Sequence, residues 1–146
     1  MLAIVHWIGG VAAVTTIVLP HAQLLPDANA ALDMFDTFER RFVRQARVSI
    51  LLTAVSGIYM LWRLQAWERL ESPSSWWLHL MVALWTVFAL MVFVLEPLGI
   101  ERLFRSYALR EKDRAFALAR RLHWAALIIA ILTIGAGVLG AHGDLP

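Results

Sequence analysis

Four stretches without a single charged residue constrain the fold of this chain more than any other feature. They cover residues 1–26, 48–62, 72–95 and 122–143. A membrane-spanning helix needs about 20 mostly apolar residues, and the first, third and fourth stretches are long enough on their own. The second is long enough if residues 42–43 and 64–67 join it, because Arg44, Arg47 and Arg63 can then extend toward the lipid headgroups.

These stretches predict an all-α integral membrane protein, a four-helix bundle with up-down-up-down topology, as a single domain over residues 1–146. We expect transmembrane helices at about 2–19, 43–66, 74–96 and 121–141. The first segment lacks the positive start of a signal peptide, so we expect it to be retained as a helix. The chain is 60% hydrophobic and 16% charged, which leaves too little polar surface for a soluble domain of this size.

Basic residues predict the orientation. All of the 13 Lys and Arg residues except Arg63 and Arg69 follow the first or the third helix. By the positive-inside rule these two loops face the cytoplasm of a bacterial inner membrane, and both termini face the periplasm. Each loop has amphipathic spacing, so we expect helices at about 27–42, capped by Asp27, and at about 99–120. The basic residues lie beside membrane helices, which argues against a nucleic-acid partner and for contact with the lipid bilayer.

Histidines are the candidate metal ligands, because the chain has no cysteine. Ser72 and Pro73 are typical of a helix start. Counted from the outer ends of their own helices, His6 and His79 both lie about 8–9 Å deep. Two histidines at one depth on parallel helices predict the axial ligands of a haem b. Gly10 would let the ring approach the backbone, and Arg63 would pair with a propionate.

Other arrangements of the histidines stay open. His142 could join His6 and His79 in a three-imidazole site for copper or zinc. His21 and His123 could form a second site near the inner face, or any of these side chains could be solvated or bonded within the bundle. Small residues on the second and fourth helices, Gly57 and Gly137 among them, could pack within the chain or form a homodimer.

Several motifs resemble a known group of small membrane proteins. They are HWIGG in the first helix, LP at 19–20, RRFVRQARVSILLTAVSGIYML through the second helix, and WWLHL opening the third. The chain is similar to the HemJ-type protoporphyrinogen oxidases and to proteins related to the CopD copper-resistance domain. This resemblance implies that His6 is a haem ligand and that His79 is the histidine of the second motif. Met81 occupies the position of that motif's lysine.

We therefore expect a haem b-binding inner-membrane protein in redox chemistry, most simply electron transfer between a quinol and a periplasmic acceptor. Catalysis by a haem-dependent oxidoreductase stays open. The first alternative is a CopD-like protein that transports or handles copper. The second is a non-catalytic accessory subunit of a larger membrane complex.

Overall fold

The computed structural model describes residues 2–142, which are helical with no strand. We number the helices α1 (Leu2–Leu24), α2 (Ala28–Arg63), α3 (Pro73–Leu95), α4 (Ile100–Arg110) and α5 (Lys112–His142). A short 3₁₀ turn, Trp67–Leu70, lies between α2 and α3. Three of these helices, α1, α3 and α5, are long and apolar enough to cross a membrane. The apolar part of α2, bounded by Arg47 and Arg63, is not among those three.

Two prolines explain local widening in α1 and α3. Each of these helices contains a π-helical turn, at Val14–Val18 and at Met91–Leu95. Pro20 and Pro97 follow these turns by two residues. A proline has no N–H to donate, and its ring clashes with the carbonyl four residues earlier. A wider turn accommodates these effects: α1 continues through Pro20 to Leu24, whereas α3 ends at Leu95, two residues before Pro97.

The segments expected to be amphipathic lie together at one end of the bundle, which we call the inner end because the basic residues predict that it faces the cytoplasm. Asp27 caps α2 as the sequence predicts, because its Oδ2 accepts a hydrogen bond from Ala30 N at 3.0 Å. From that cap α2 continues without a break for 36 residues, about 54 Å of helix. It therefore extends well beyond a hydrocarbon core of about 30 Å. The second expected amphipathic segment, 99–120, is instead divided at Glu111 between α4 and the start of α5.

A well-packed apolar core joins these inner segments. Phe35, Phe104 and Phe116 come from α2, α4 and α5, and their rings meet within 6.0 Å of one another. Leu19 and Ala22 of α1 are fully buried in the same cluster. Helix α4 is thus packed against the bundle, and the inner end is a folded cap on the apolar helices.

Direct contacts give the helix directions. Trp85 Nε1 of α3 donates a hydrogen bond to Ile50 O of α2 at 3.1 Å. Arg47, which precedes Ile50, pairs with Glu96, which follows the end of α3. Helices α2 and α3 are therefore antiparallel. Helix α1 is antiparallel to α2 as well, because Gly10 faces Phe42, while the earlier residues Leu2, Ala3 and His6 line a groove that continues along α2 as far as Leu52.

Glycines let α3 and α5 approach closely within the chain. A Cβ added at Gly137 would overlap Met81, and one added at Gly140 would overlap Trp77. The small-residue face of α5 is therefore used, at these two positions, for packing inside the protein. Gly57 of α2 has nothing within 4 Å of an added Cβ, so its contribution to a homodimer stays a prediction.

Candidate metal-ligand histidines and the α1–α2 groove

His6 lies in a groove between α1 and α2. The groove has a volume of about 780 Å³ and is open to the surroundings of the bundle. Leu2, Ala3 and His6 line it from α1. The α2 residues that line it occupy one helical face: Arg41, Arg44, Gln45, Val48, Ser49 and Leu52. His6 thus shares its groove with two arginines from the inner half of the protein.

The structure does not bring His6 and His79 to one height. Trp7, next to His6, packs edge to face on Phe88, with ring centroids 4.2 Å apart. His79 lies nine residues before Phe88, a rise of about 13 Å along α3. The equal depth expected from sequence is therefore wrong for His6, because α3 extends further outward than the described part of α1. A single haem ring between these two histidines is disfavoured.

The two residues expected to support that ring are elsewhere. The ring of Phe42 occupies the space beside Gly10, so the lack of a side chain at this position lets α2 pack closely against α1. Arg63 is exposed at the far end of α2, about 20 Å along the helix from Ile50. Neither residue therefore supports a porphyrin beside His6, and no haem-binding group is identified among residues 2–142.

His79 is held at the outer end of α3 by a bond to the preceding loop. Its Nε2 lies 2.8 Å from Leu70 O, so Nε2–H donates and Nδ1 keeps its lone pair. Ser72 and Pro73 do begin this helix, but Ser72 Oγ pairs with Ser74 Oγ at 2.7 Å and caps no backbone N–H. The regular α-helix starts only at Trp76.

The other three histidines each bond to their own helix. The Nδ1 atoms of His21, His123 and His142 lie 2.8–2.9 Å from carbonyls four residues earlier. With Nδ1–H donating, Nε2 of each ring has a free lone pair, which is the tautomer of a typical metal ligand. His142 and His79 lie at the same end of the bundle, because Gly140 contacts Trp77 two residues away from each.

No closed metal site is present among the described residues. Nowhere in residues 2–142 do three or more His, Cys, Asp or Glu side chains come together as possible ligands. The three-imidazole site of His6, His79 and His142 is therefore not assembled, since His6 is far from the outer end.

A charged junction at the inner end was not predicted from the sequence. Arg105 of α4 contacts Asp36 at 2.6 Å and Asp33 at 3.3 Å, and Arg47 pairs with Glu96. Glu39 lies between these pairs, outside the segments expected to span the membrane. Its burial, with help from Glu101 and other nearby carboxylates, raises its pKa from 4.5 to about 7. Sequence spacing could not reveal this junction, because its members come from α2, from α4 and from Glu96 in the turn after α3.

The helices and their apolar surfaces define a class of protein: a small all-helical protein with three helices able to cross a membrane. Within its described part the histidines are scattered and no group of possible metal ligands comes together. Comparison with known families is more specific. The family model for copper resistance protein D, CopD, matches residues 36–140. This match covers well over half of the chain, and the protein belongs to the CopD family. The match supports the CopD part of the resemblance and does not extend to the HemJ-type oxidases.

Comparison with curated proteins and with solved structures finds no match for this chain.

Proposed function

We propose that this protein handles copper ions at the bacterial inner membrane, as cargo that it binds and passes on. The observation that carries the proposal is the CopD family match over residues 36–140. Three apolar helices able to cross a membrane are consistent with such a location. Copper handling therefore replaces haem-based electron transfer as the leading hypothesis.

The ligand chemistry supports a transient site. His79 and His142 are exposed at one end of the bundle, and each has one ring nitrogen bonded and the other available. Imidazole is a good ligand for copper in either oxidation state. Two imidazoles with open coordination positions bind more weakly than a closed site, which suits a cargo ion that must leave again. The distribution of basic residues along the chain supports a periplasmic position for this end.

Metal analysis of the purified protein tests the proposal. Detergent-solubilised protein should retain copper after incubation with Cu(I) under a reductant, and His79→Ala and His142→Ala should each lower the retained amount severalfold. His21→Ala is the matched control, because His21 has the same carbonyl bond but lies at the inner end. We expect this control to retain copper as the unaltered protein does.

An optical spectrum separates copper handling from the haem hypothesis. A protein that retains copper and shows no Soret band supports the proposal. Stoichiometric haem b that is lost in His6→Ala, with no copper retained, would overturn it and restore the redox reading. Neither copper nor haem, together with unchanged copper tolerance of cells lacking the protein, would favour an accessory subunit.

A further inference from the structure

The groove between α1 and α2 has a charged end and an apolar end. Arg41 and Arg44 lie at the first, and Val48 and Leu52 at the second. His6 and Gln45 lie between them. At about 780 Å³, the groove has the size of sites that bind small amphiphilic molecules. Its lining changes from cationic through polar to apolar along a single helix face.

The two arginines have no partner in the described part of the chain. The next basic residue of α2, Arg47, pairs with Glu96. No carboxylate of residues 2–142 comes within 4.0 Å of Arg41 or Arg44. Two adjacent guanidinium groups at the mouth of a groove attract an anion, and their planar donor geometry suits the oxygens of a phosphate.

The depth of the groove matches one leaflet of a bilayer. Arg47 contacts Glu96, which directly follows the end of α3 at Leu95. Arg41 and Arg44, within two turns of Arg47 on α2, therefore lie near the inner end of α3, whereas α1 continues past this level because Gly10, and not Leu24, faces Phe42. Leu52 lies eight residues beyond Arg44, about 12 Å along the helix, while half of the hydrocarbon core measures about 15 Å. The apolar end of the groove thus reaches toward the middle of the bilayer.

From this arrangement we infer that the α1–α2 groove binds one anionic phospholipid. The phosphate lies on Arg41 and Arg44, and an acyl chain lies along Val48 and Leu52. His6 and Gln45 line the groove between the arginines and the apolar end, and their side chains can donate hydrogen bonds to the ester carbonyls. The site uses neither His79 nor His142, so it stands independently of copper handling.

Native mass spectrometry of the delipidated protein tests the inference. We expect one phosphatidylglycerol to be retained in preference to phosphatidylcholine, which carries no net charge. The double variant Arg41→Gln/Arg44→Gln should weaken phosphatidylglycerol binding about 25-fold, since each basic residue near a lipid phosphate contributes about fivefold. The matched control is Arg120→Gln/Arg121→Gln, two exposed arginines outside the groove, which should weaken it less than twofold.

A second pair of variants tests the acyl-chain end without changing charge. Leu52→Trp fills the groove and should prevent retention of the lipid. Val55→Trp adds the same ring at an exposed position that does not line the groove, and it should leave retention unchanged. Circular dichroism checks that all four variants are folded, and the tryptophan pair still decides the question if the arginine variant is not.

Three results would overturn the inference. One is equal retention of phosphatidylglycerol and phosphatidylcholine. Another is an equal loss of retained phosphatidylglycerol in Leu52→Trp and Val55→Trp, because lipid bound unspecifically around the bundle would respond to both variants alike. The last is displacement of the lipid by one equivalent of haem with a Soret band, which would assign the groove to a porphyrin.

Discussion

Trp7 of α1 and Phe88 of α3 meet edge to face, with ring centroids 4.2 Å apart and planes at 88°. This contact fixes the height of α1 relative to α3 and separates His6 from His79. It also leaves the outer part of α2 without α1 beside it, so that Val55 and Ile58 are more than half exposed. One aromatic pair therefore determines which candidate ligands can share a site.

The orientation in the membrane is testable with reporter fusions. A fusion after Lys112 should behave as cytoplasmic and one after His142 as periplasmic, because the basic residues concentrate around α4 and the start of α5. Paired reporters that are active on opposite sides of the membrane provide the measurement. Activity of the cytoplasmic reporter at His142 would place the outer histidines on the wrong side for receiving periplasmic copper.

Close packing of α1 on α2 predicts opposite effects for two adjacent glycines. Gly10→Ala should destabilise the protein by about 1–3 kcal/mol, because the added Cβ overlaps the ring of Phe42 and the helices must separate. Gly9→Ala should be neutral or stabilising by up to about 1 kcal/mol, since nothing lies within 4 Å of its Cβ and alanine favours the helix. Thermal unfolding in detergent compares the two. Equal melting temperatures would contradict the α1–α2 contact.

The ion pair between Arg105 and Asp36 should stabilise the inner end. The side chain of Asp36 is only 5% exposed, so Arg105→Gln leaves a buried carboxylate unpaired at a cost of about 1–3 kcal/mol. Arg114→Gln breaks a pair with Glu111 of similar length, 2.7 Å, whose arginine is 77% exposed. This control should change stability by less than about 1 kcal/mol. Similar decreases in the free energy of unfolding for both variants would show that the burial of Asp36 has no energetic role.

Glu39 should make stability depend on pH. Because its pKa rises from 4.5 to about 7, the folded state binds the proton more tightly than the unfolded state does. The resulting loss of stability is absent below pH 4.5, grows as the pH rises to 7 and is complete above it. Glu39→Gln should therefore be more stable than the unaltered protein at pH 8, by up to about 3 kcal/mol, and equal to it near pH 4.5.

Melting temperatures at both pH values measure this effect. The control is Glu71→Gln, which removes the same charge at an exposed position and should show no such convergence at low pH. The raised pKa would be contradicted if the difference in melting temperature between Glu39→Gln and the unaltered protein stayed constant from pH 4.5 to pH 8.

The sequence determined the helices, since charge-free stretches predict apolar helices wherever the backbone must satisfy its own hydrogen bonds in lipid. It also determined the start of α2, because an Asp at position 27 can accept a bond from the first helical turn. These features depend on residues close together in the chain. The motifs around residues 40–81 were likewise sufficient to indicate the CopD family.

Only the tertiary structure decided how the helices are aligned. Counting residues from each helix end assumes that all helices begin at one level, and the packing of Trp7 on Phe88 shows that they do not. The same contacts assigned Gly10 to Phe42 and placed Arg41 and Arg44 in the α1–α2 groove. The relative heights of the helices, and the faces they turn toward one another, depend on how side chains of distant segments pack together. No local pattern in the chain encodes that packing.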